Sequence, residues 1–301
     1  MTRAHWIGWM ACALVACQSS APQKRSDLDL SRVTLEVSEL SGLSGLTTDG
    51  QGHLWSVAER DWSLVEFHEG KVLRTVQLPN LGEEVDIEAI TWMGGTRFAL
   101  GTERDLERQS DDVVEVEVQG KRARIRQRWA LNYKPLNLTP EPNEGIEAIC
   151  ALGERWILAI GEPVVTDAQS GVRRAPMWRM TTSGKGVTHG WLELTSKEGK
   201  IAALACRSMG NEAYQILAVE RHFGVMRVVG FDLFGADPAG SHHQAKLHVE
   251  LVNELDGKPN LEGITFGPDK AIWLVVDNAW RRVVGPNELV RLGRLPPRAF
   301  H

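Results

Sequence analysis

Acidic residues recur at matching places along this sequence, each beside an apolar run with the composition of a β-strand. In NEGIEAICALGERWILAIGE, residues 143–162, Glu147 stands near the start and Glu162 at the end. The same arrangement is found in DIEAITWMGGTRFALGTERD and in NLEGITFGPDKAIWLVVDN. Carboxylates that converge in this way must bind a cation, pair with arginine or hold a proton, because they repel one another.

Two sets of positions describe this repeat. They are 15 residues apart in four copies and 18 residues apart in one. The repeat averages about 54 residues, which is in the range of propeller blades and longer than most helical repeats. The first set is Ser44, Glu88, Glu147, Ala202 and Glu262, and the second set is Glu59, Glu103, Glu162, Glu220 and Asp277.

The elements that must position these acids are strands. Runs such as RWILAIGE and IWLVVD follow turns such as GGT and GPDK, and long amphipathic helical patterns are absent. The sequence therefore predicts an all-β fold, a β-propeller of four-stranded blades around a channel. The last copy has only three strands, and RVTLEVS at 32–38 has no blade of its own. We expect this N-terminal strand to complete the last blade, which predicts five blades, with six as the alternative.

Equivalent residues of successive blades form rings around the propeller axis, so the acids should meet at one mouth of the channel. We expect Glu88, Glu147 and Glu262 to bind a cation, and the second set to form a further acidic ring. Calcium fits best, because it accepts many oxygen ligands in flexible geometry. The alternative is that the acids only pair with arginines that directly follow second-set acids, namely Arg60, Arg104 and Arg221.

Residues near these rings could serve a substrate. A guanidinium offers a fork of donors to phosphate oxygens, and aromatic side chains wall many small-molecule sites. His222 is a candidate general base beside Arg221, which would steady developing negative charge; an ordinary surface histidine and salt-bridging arginines are the alternatives. The candidate substrate-binding residues are Arg60, Arg104, Trp62 and Trp280.

No nucleophile motif is present: the sequence lacks GxSxG, HExxH and a Gly-rich phosphate loop. This absence favours a binding protein; for an enzyme, attack by water assisted by a metal is the reaction type that the residues favour. The formal net charge of −5 argues against broad binding to a nucleic-acid backbone.

The N-terminus has the layout of a secretory signal, with Arg3, an apolar stretch and then small residues. LVAC at 14–17 is the pattern of bacterial lipoprotein precursors, so we expect a signal peptide over 1–16, acylation of Cys17, a flexible tether over 17–29 and one domain over 30–301. The alternative is an ordinary cleaved signal. The membrane would be contacted through the lipid anchor only, at the periplasmic face of the cell envelope. Cys150 and Cys206 lie three and four residues after first-set positions, and we expect no disulfide between them, because adjacent strand positions face opposite ways.

Several stretches resemble the phytase-like family named for the esterase-like activity of phytase: NEGIEAI with GEP, ILAVERHFG at 216–224, NLEGITFGPDKAIWLVVDN and LSGLSGLTTDGQGHLWSVAERD. The resemblance spans residues 40–295 and implies a secreted or periplasmic propeller linked to phosphoester or ester hydrolysis. Ala202 departs from the pattern, because other copies have glutamate there. We therefore expect a lipid-anchored propeller that hydrolyses a small phosphoester or ester with a metal. The alternative is a non-catalytic propeller that binds a ligand or protein and has a structural cation.

Overall fold

The computed structural model describes residues 29–35, 42–82, 85–104, 110–222, 224–235, 240–255, 259–277 and 287–295. The predicted signal peptide, Cys17, most of the tether and Trp280 lie outside these ranges. The described residues form β-strands and one short 3-10 helix, Lys134–Leu136. Within them, no helix is long and apolar enough to cross a membrane.

The strands group into antiparallel units that follow the chain, and we number these units I to V. The chain enters through β1 (Ser31–Thr34). Unit I contains β2 (Leu43–Thr48), β3 (Leu54–Ala58), β4 (Ser63–His68) and β5 (Lys71–Gln77), and unit II contains β6 (Val85–Gly94), β7 (Arg97–Arg104), β8 (Ser110–Gln119) and β9 (Arg122–Asn132). A single parallel pair, Gln77 with Arg122, joins these two units into one sheet.

The later units repeat the arrangement. Unit III contains β10 (Ala148–Leu152), β11 (Trp156–Ile160), the short β12 (Val165–Thr166), β13 (Arg173–Thr181) and β14 (Val187–Glu193). Unit IV contains β15 (Lys200–Gly210), β16 (Ala213–His222), β17 (Val225–Phe234) and β19 (Lys246–Glu250), while β18 (His242–Gln244) pairs with β14 of unit III. Unit V contains β20 (Asn260–Phe266), β21 (Ile272–Asp277) and β22 (Glu288–Arg291).

The predicted closing strand is confirmed. β1 pairs antiparallel with β22, with Ser31 opposite Arg291 and Thr34 opposite Glu288, so unit V also has four strands. The first strands of the units contact one another in a closed order: β2 with β6, β6 with β10, β10 with β15, β15 with β20, and β20 with β2. The predicted all-β propeller class is therefore confirmed; the blade number stays a prediction, which the five described units support.

The core lies between consecutive units. Each of the five hydrophobic clusters combines residues of two neighbouring units, and together they follow the ring. The first strand of a unit is buried on both faces, so successive residues alternate between the two neighbours. In β15, Leu204 packs toward unit III, whereas Ala203 and Ala205 pack toward unit V.

This alternation corrects the expectation about the cysteines. Cys150 and Cys206 form a disulfide between units III and IV, with their Cα atoms 5.6 Å apart. The one-residue offset between them puts the two side chains on opposite faces of equivalent strands. When two units stack, the face of one sheet that is directed toward the next unit contacts the opposite face of that next sheet. The offset that argued against a disulfide is therefore the one that permits it.

Threonine side chains join other pairs of neighbouring units. Each threonine side chain hydrogen-bonds to the first strand of the neighbouring unit. These bonds and the disulfide therefore connect the first strands of adjacent units, which we call the inner strands. The bonds run from Trp92 N–H to Thr47 Oγ1 (3.0 Å), from Ala151 N–H to Thr91 Oγ1 (2.9 Å) and from Thr48 Oγ1 to the Phe266 carbonyl (2.9 Å).

Loss of the disulfide should destabilise the domain measurably. The bond closes a loop with a sequence separation of 56 residues, and cross-links of this kind contribute about 2–4 kcal/mol. We expect the double variant Cys150→Ser/Cys206→Ser to melt about 5–15 °C lower than the wild type. Differential scanning calorimetry with and without reductant measures this. Reductant should lower the wild-type Tm and leave the double variant unchanged; an equal response of both proteins would contradict the disulfide.

Candidate functional site

The two sets of acidic positions meet at one end of the ring, because each inner strand begins where its antiparallel neighbour ends. In unit II, Asp86 lies opposite Glu103, and in unit V, Asn260 lies opposite Asp277. We call the carboxylates gathered there the channel cluster. Its members are Glu59, Glu88, Glu103, Glu147, Glu162, Glu262 and Asp277.

In three units, a one-residue insertion in the first strand coincides with the first-set position. In units II and V the register shifts by one residue, and the extra residue is Glu88 and Glu262 respectively. In unit IV the extra residue is Ala202. β-Bulges of this kind redirect a side chain and are frequent beside functional sites. Units II, IV and V therefore each have the first-set residue at the inserted position.

Three members of the channel cluster lie close enough together to share a metal ion. Glu103, Glu147 and Glu162 each have a carboxylate oxygen within 4.8 Å of the others. Glu103 is 2% exposed, and its Oε2 accepts a hydrogen bond from the Gly145 N–H at 3.0 Å. A Cβ at residue 145 would lie 2.4 Å from the Glu103 Cβ, so only glycine allows this approach. Three oxygens at this spacing fit the ligand set of a hard cation.

The other two predicted ligands have different contacts. The Glu88 Oε2 accepts a hydrogen bond from Ser44 Oγ at 3.1 Å, and its carboxyl group also shares a hydrogen bond with Glu59. Glu262 accepts hydrogen bonds from Arg221 and from Asn260. Both remain close enough to Glu147 to act on its charge. We call Glu103, Glu147 and Glu162 the three-carboxylate group. Of the predicted ligands, Glu147 belongs to this group, and Glu88 and Glu262 lie near it.

Burial and mutual repulsion make these groups hold protons. Burial is the largest cause in each case. The pKa of Glu88 is well above its usual value, with further contributions from Glu59 and Glu103, and that of Glu147 is well above it, with contributions from Glu88 and Glu162. The pKa of Glu59 rises from 4.5 to about 8. Carboxyl groups shifted this far are typical of functional sites.

Two positively charged side chains of unit IV, those of Lys200 and Arg221, compensate part of the negative charge. Lys200 Nζ lies 3.0 Å from Glu144 Oε1 and 3.1 Å from Glu162 Oε1. Burial raises the pKa of Glu162, whereas Lys200 lowers it. Burial likewise raises the pKa of Glu262, and Arg221 opposes it. The alternative of acid–arginine pairing thus holds for Arg221, although its partner is an acid of the next unit.

The strand pairing in unit IV differs from the repeat alignment of the sequence at the second-set position. Lys200 lies opposite Arg221, as Asp86 lies opposite Glu103 in unit II. Arg221 therefore occupies the second-set position that sequence comparison assigned to Glu220. The Glu220 carboxylate accepts hydrogen bonds from the backbone N–H groups of 195 and 196, at 3.1 and 2.9 Å, and holds that loop.

The remaining predicted residues that the structure describes have other contacts or surroundings. Arg104 pairs with Asp112 at 3.4 Å, and Arg60 is exposed. Trp62 has a left-handed backbone, φ 48°, and packs against the core between units I and II. His222 is half-buried next to Arg221 on β16, and adjacent strand residues point to opposite faces. Their roles in substrate binding and catalysis stay predictions.

Sequence reasoning missed Lys200, although a signal for it existed. Lys200 lies two residues before Ala202, and residues two apart on a strand share a face. Asp86 and Asn260 lie at the same distance before Glu88 and Glu262. Polar residues thus recur at a third repeat position in these three units, two residues before the first set.

The side chains of a second group, Asp49, His53 and Glu66, are close enough to one another to bind a metal ion. They also hydrogen-bond to one another and to neighbouring residues. Asp49 accepts hydrogen bonds from the backbone N–H of His53 and from Trp55 Nε1. Glu66 contacts both His53 Nδ1 and Arg74 Nε. This group serves the structure of unit I.

Comparison with known proteins matches residues 20–159 to the model of the SdiA-regulated family, a family of phytase-like propellers. The match covers slightly less than half of the chain and ends before Glu162. No curated protein matches the chain. The predicted resemblance is thus supported at the coarse level of the family model.

Solved structures resemble the chain only distantly. The PQQ-bound aldose sugar dehydrogenase of Streptomyces coelicolor is 12% identical, with 88% of this chain and 98% of that chain covered and a TM-score of 0.46. Virginiamycin B lyase of Staphylococcus aureus is 12% identical, with 89% and 100% covered and a TM-score of 0.42. A protein of unknown function from Dyadobacter fermentans is 10% identical, with 82% and 79% covered and a TM-score of 0.44.

The raised pKa values predict how stability depends on pH when no cation is bound. The unfolded chain loses these protons near pH 4.5, whereas folded Glu59 keeps its proton to about pH 8. Between these values the folded state binds more protons, so stability falls as pH rises. We expect Glu147→Gln to be more stable than the wild type at pH 8 in chelator, and nearly equal to it at pH 4.5.

Thermal melting of both proteins in chelator, from pH 4.5 to 8, measures this difference. A gain of about 1 kcal/mol raises Tm by about 2–4 °C in a domain of this size, which is the least change we expect. The exposed Glu154 provides the control, since Glu154→Gln should follow the wild type. A pH-independent difference between Glu147→Gln and the wild type would contradict the prediction.

Proposed function

We propose that this propeller binds a divalent cation, most simply calcium, at the channel mouth and uses it to hydrolyse a phosphoester or ester. The observation that carries the proposal is the convergence of Glu103, Glu147 and Glu162, whose oxygens lie within 4.8 Å of one another. Buried carboxylates are costly unless a positive charge compensates them. A hard cation compensates three of them at once.

The chemistry follows from the groups around the ion. A cation held by Glu103, Glu147 and Glu162 would polarise the oxygen of an ester or phosphoester and lower the pKa of the water that attacks it. The Arg221 guanidinium, 30% exposed beside Glu262, steadies negative charge on the reacting group. Glu59, whose pKa is raised by burial when no cation is bound, is the carboxyl group that we assign to donate a proton to the leaving group. This assigns proton transfer to a channel carboxyl group instead of His222.

The competing function is a non-catalytic propeller that binds a ligand or a protein. The ion pairs of Lys200 with Glu162 and of Arg221 with Glu262 favour it, because they stabilise the channel without any reaction. The cation would then be structural. Chelation separates the two functions, since only a catalytic cation controls turnover.

We also propose that the domain works outside the cytoplasm, anchored to the bacterial envelope through acylated Cys17. The disulfide between Cys150 and Cys206 supports this location, because structural disulfides persist mainly in oxidising compartments. A single acyl chain binds membranes weakly, so multiple acylation at Cys17 would be needed for stable attachment.

Calcium should raise the thermal stability of the protein. Binding to the folded state alone contributes about 2.7 kcal/mol at a hundredfold excess over Kd, or about 5–10 °C in Tm. The gain should be larger at pH 8 than at pH 5, because protons compete for the same carboxylates. We expect Glu147→Gln to lose most of the gain and Glu154→Gln to keep it. Identical melting curves in calcium and in chelator would rule out the cation site.

Hydrolysis of p-nitrophenyl phosphate and p-nitrophenyl acetate tests the reaction. Chelation should abolish turnover of both, because the cation acts on the reacting group. Arg221→Ala should lower kcat/KM by about 10–100-fold for the phosphate and less for the acetate, since a guanidinium binds phosphate oxygens in particular. Arg221→Lys keeps a charge beside Glu262 and controls for folding. If the wild type shows no turnover above buffer, the binding function replaces the enzymatic one.

A further inference from the structure

Unit IV inverts the charge that the other units present to the channel. At three equivalent positions, unit II has Asp86, Glu88 and Glu103, and unit V has Asn260, Glu262 and Asp277. Unit IV has Lys200, Ala202 and Arg221 there. The channel mouth therefore has one basic side, formed by unit IV, which lies between the acidic units III and V.

Lys200 connects the two sides. Its ammonium group contacts Glu162, which belongs to the three-carboxylate group, and Glu144, which does not. The side chain is 28% exposed, so a ligand in the channel can reach it. An ammonium group has three donors and a flexible stem. It can therefore keep one partner while it exchanges the other.

A cation bound at Glu103, Glu147 and Glu162 would stand close to the Lys200 ammonium. Two positive charges on one carboxylate repel each other, so cation binding weakens the contact between Lys200 and Glu162. Glu144 still holds the side chain. The donors released from Glu162 lie on the basic side with Arg221, where they can bind an anionic group that also touches the cation.

We infer that Lys200 couples the two halves of the site: it replaces the cation at Glu162 when none is bound, and it binds the ligand's phosphate group once the cation has entered. This inference rests on the proposed cation site. It adds a requirement for order, because the anion site forms fully only after the cation binds. Linkage makes the effect reciprocal, so phosphate should tighten calcium binding by the same factor.

Calorimetric titration with calcium and with inorganic phosphate, both at submillimolar concentration, measures this coupling. In the wild type, calcium should raise phosphate affinity about tenfold, a factor typical of coupled sites. Lys200→Met should bind calcium several-fold more tightly, because the competing ammonium is gone, and should lose the coupling to phosphate. Lys197→Met is the matched control, since Lys197 is exposed and near in sequence; it should behave as the wild type.

Lys200→Arg keeps the inference testable if Lys200→Met folds poorly. Its retained charge should preserve calcium affinity near the wild-type value and most of the coupling. The inference is wrong if Lys200→Met or Lys200→Arg binds calcium more weakly than the wild type, or if Lys200→Met keeps the tenfold coupling, while the proposed cation site then still stands. A wild type that binds no calcium overturns both.

Discussion

The antiparallel pairing of β1 with β22 is the interaction on which the rest of the molecule depends. It joins residues more than 250 positions apart, Ser31 with Arg291, and completes unit V. Leu35, directly after β1, and Leu289 of β22 enter the cluster between units V and I. This cluster is the last of five that follow the ring. Because each unit buries its faces only against its neighbours, an open ring would expose two apolar sheets and separate the channel residues.

Closure of the ring also has an electrostatic cost, because it buries carboxylates close to one another. The ring brings carboxylates of several units to one narrow mouth, where burial disfavours their charged forms. Hydrogen bonds from Gly145 and Ser44, and ion pairs with Lys200 and Arg221, offset part of it. Glu147 nevertheless keeps a pKa well above its usual value. A fold selected for stability alone would have little reason to place these acids here, which is why we regard the mouth as the functional face.

Departures from symmetry carry as much information as the repeat. Units II and V each have a glutamate at the same one-residue insertion, Glu88 and Glu262. Unit IV keeps the insertion at Ala202 but exchanges acids for Lys200 and Arg221. Since the backbone arrangement is preserved while the charge is reversed, the difference lies in the side chains that unit IV presents to the channel and not in the fold.

The sequence by itself determined the strand repeat, the closing role of the N-terminal strand and the end of the ring at which the acids gather, because these follow from residue periodicity along one chain. Only the tertiary structure decided that Glu147 meets Glu103 and Glu162, and that Cys150 meets Cys206. These contacts join different units, so they depend on how two sheets stack. A one-residue insertion or offset there changes which side chains face each other. The spacing of residues along the chain does not show to which face of the sheet those side chains point.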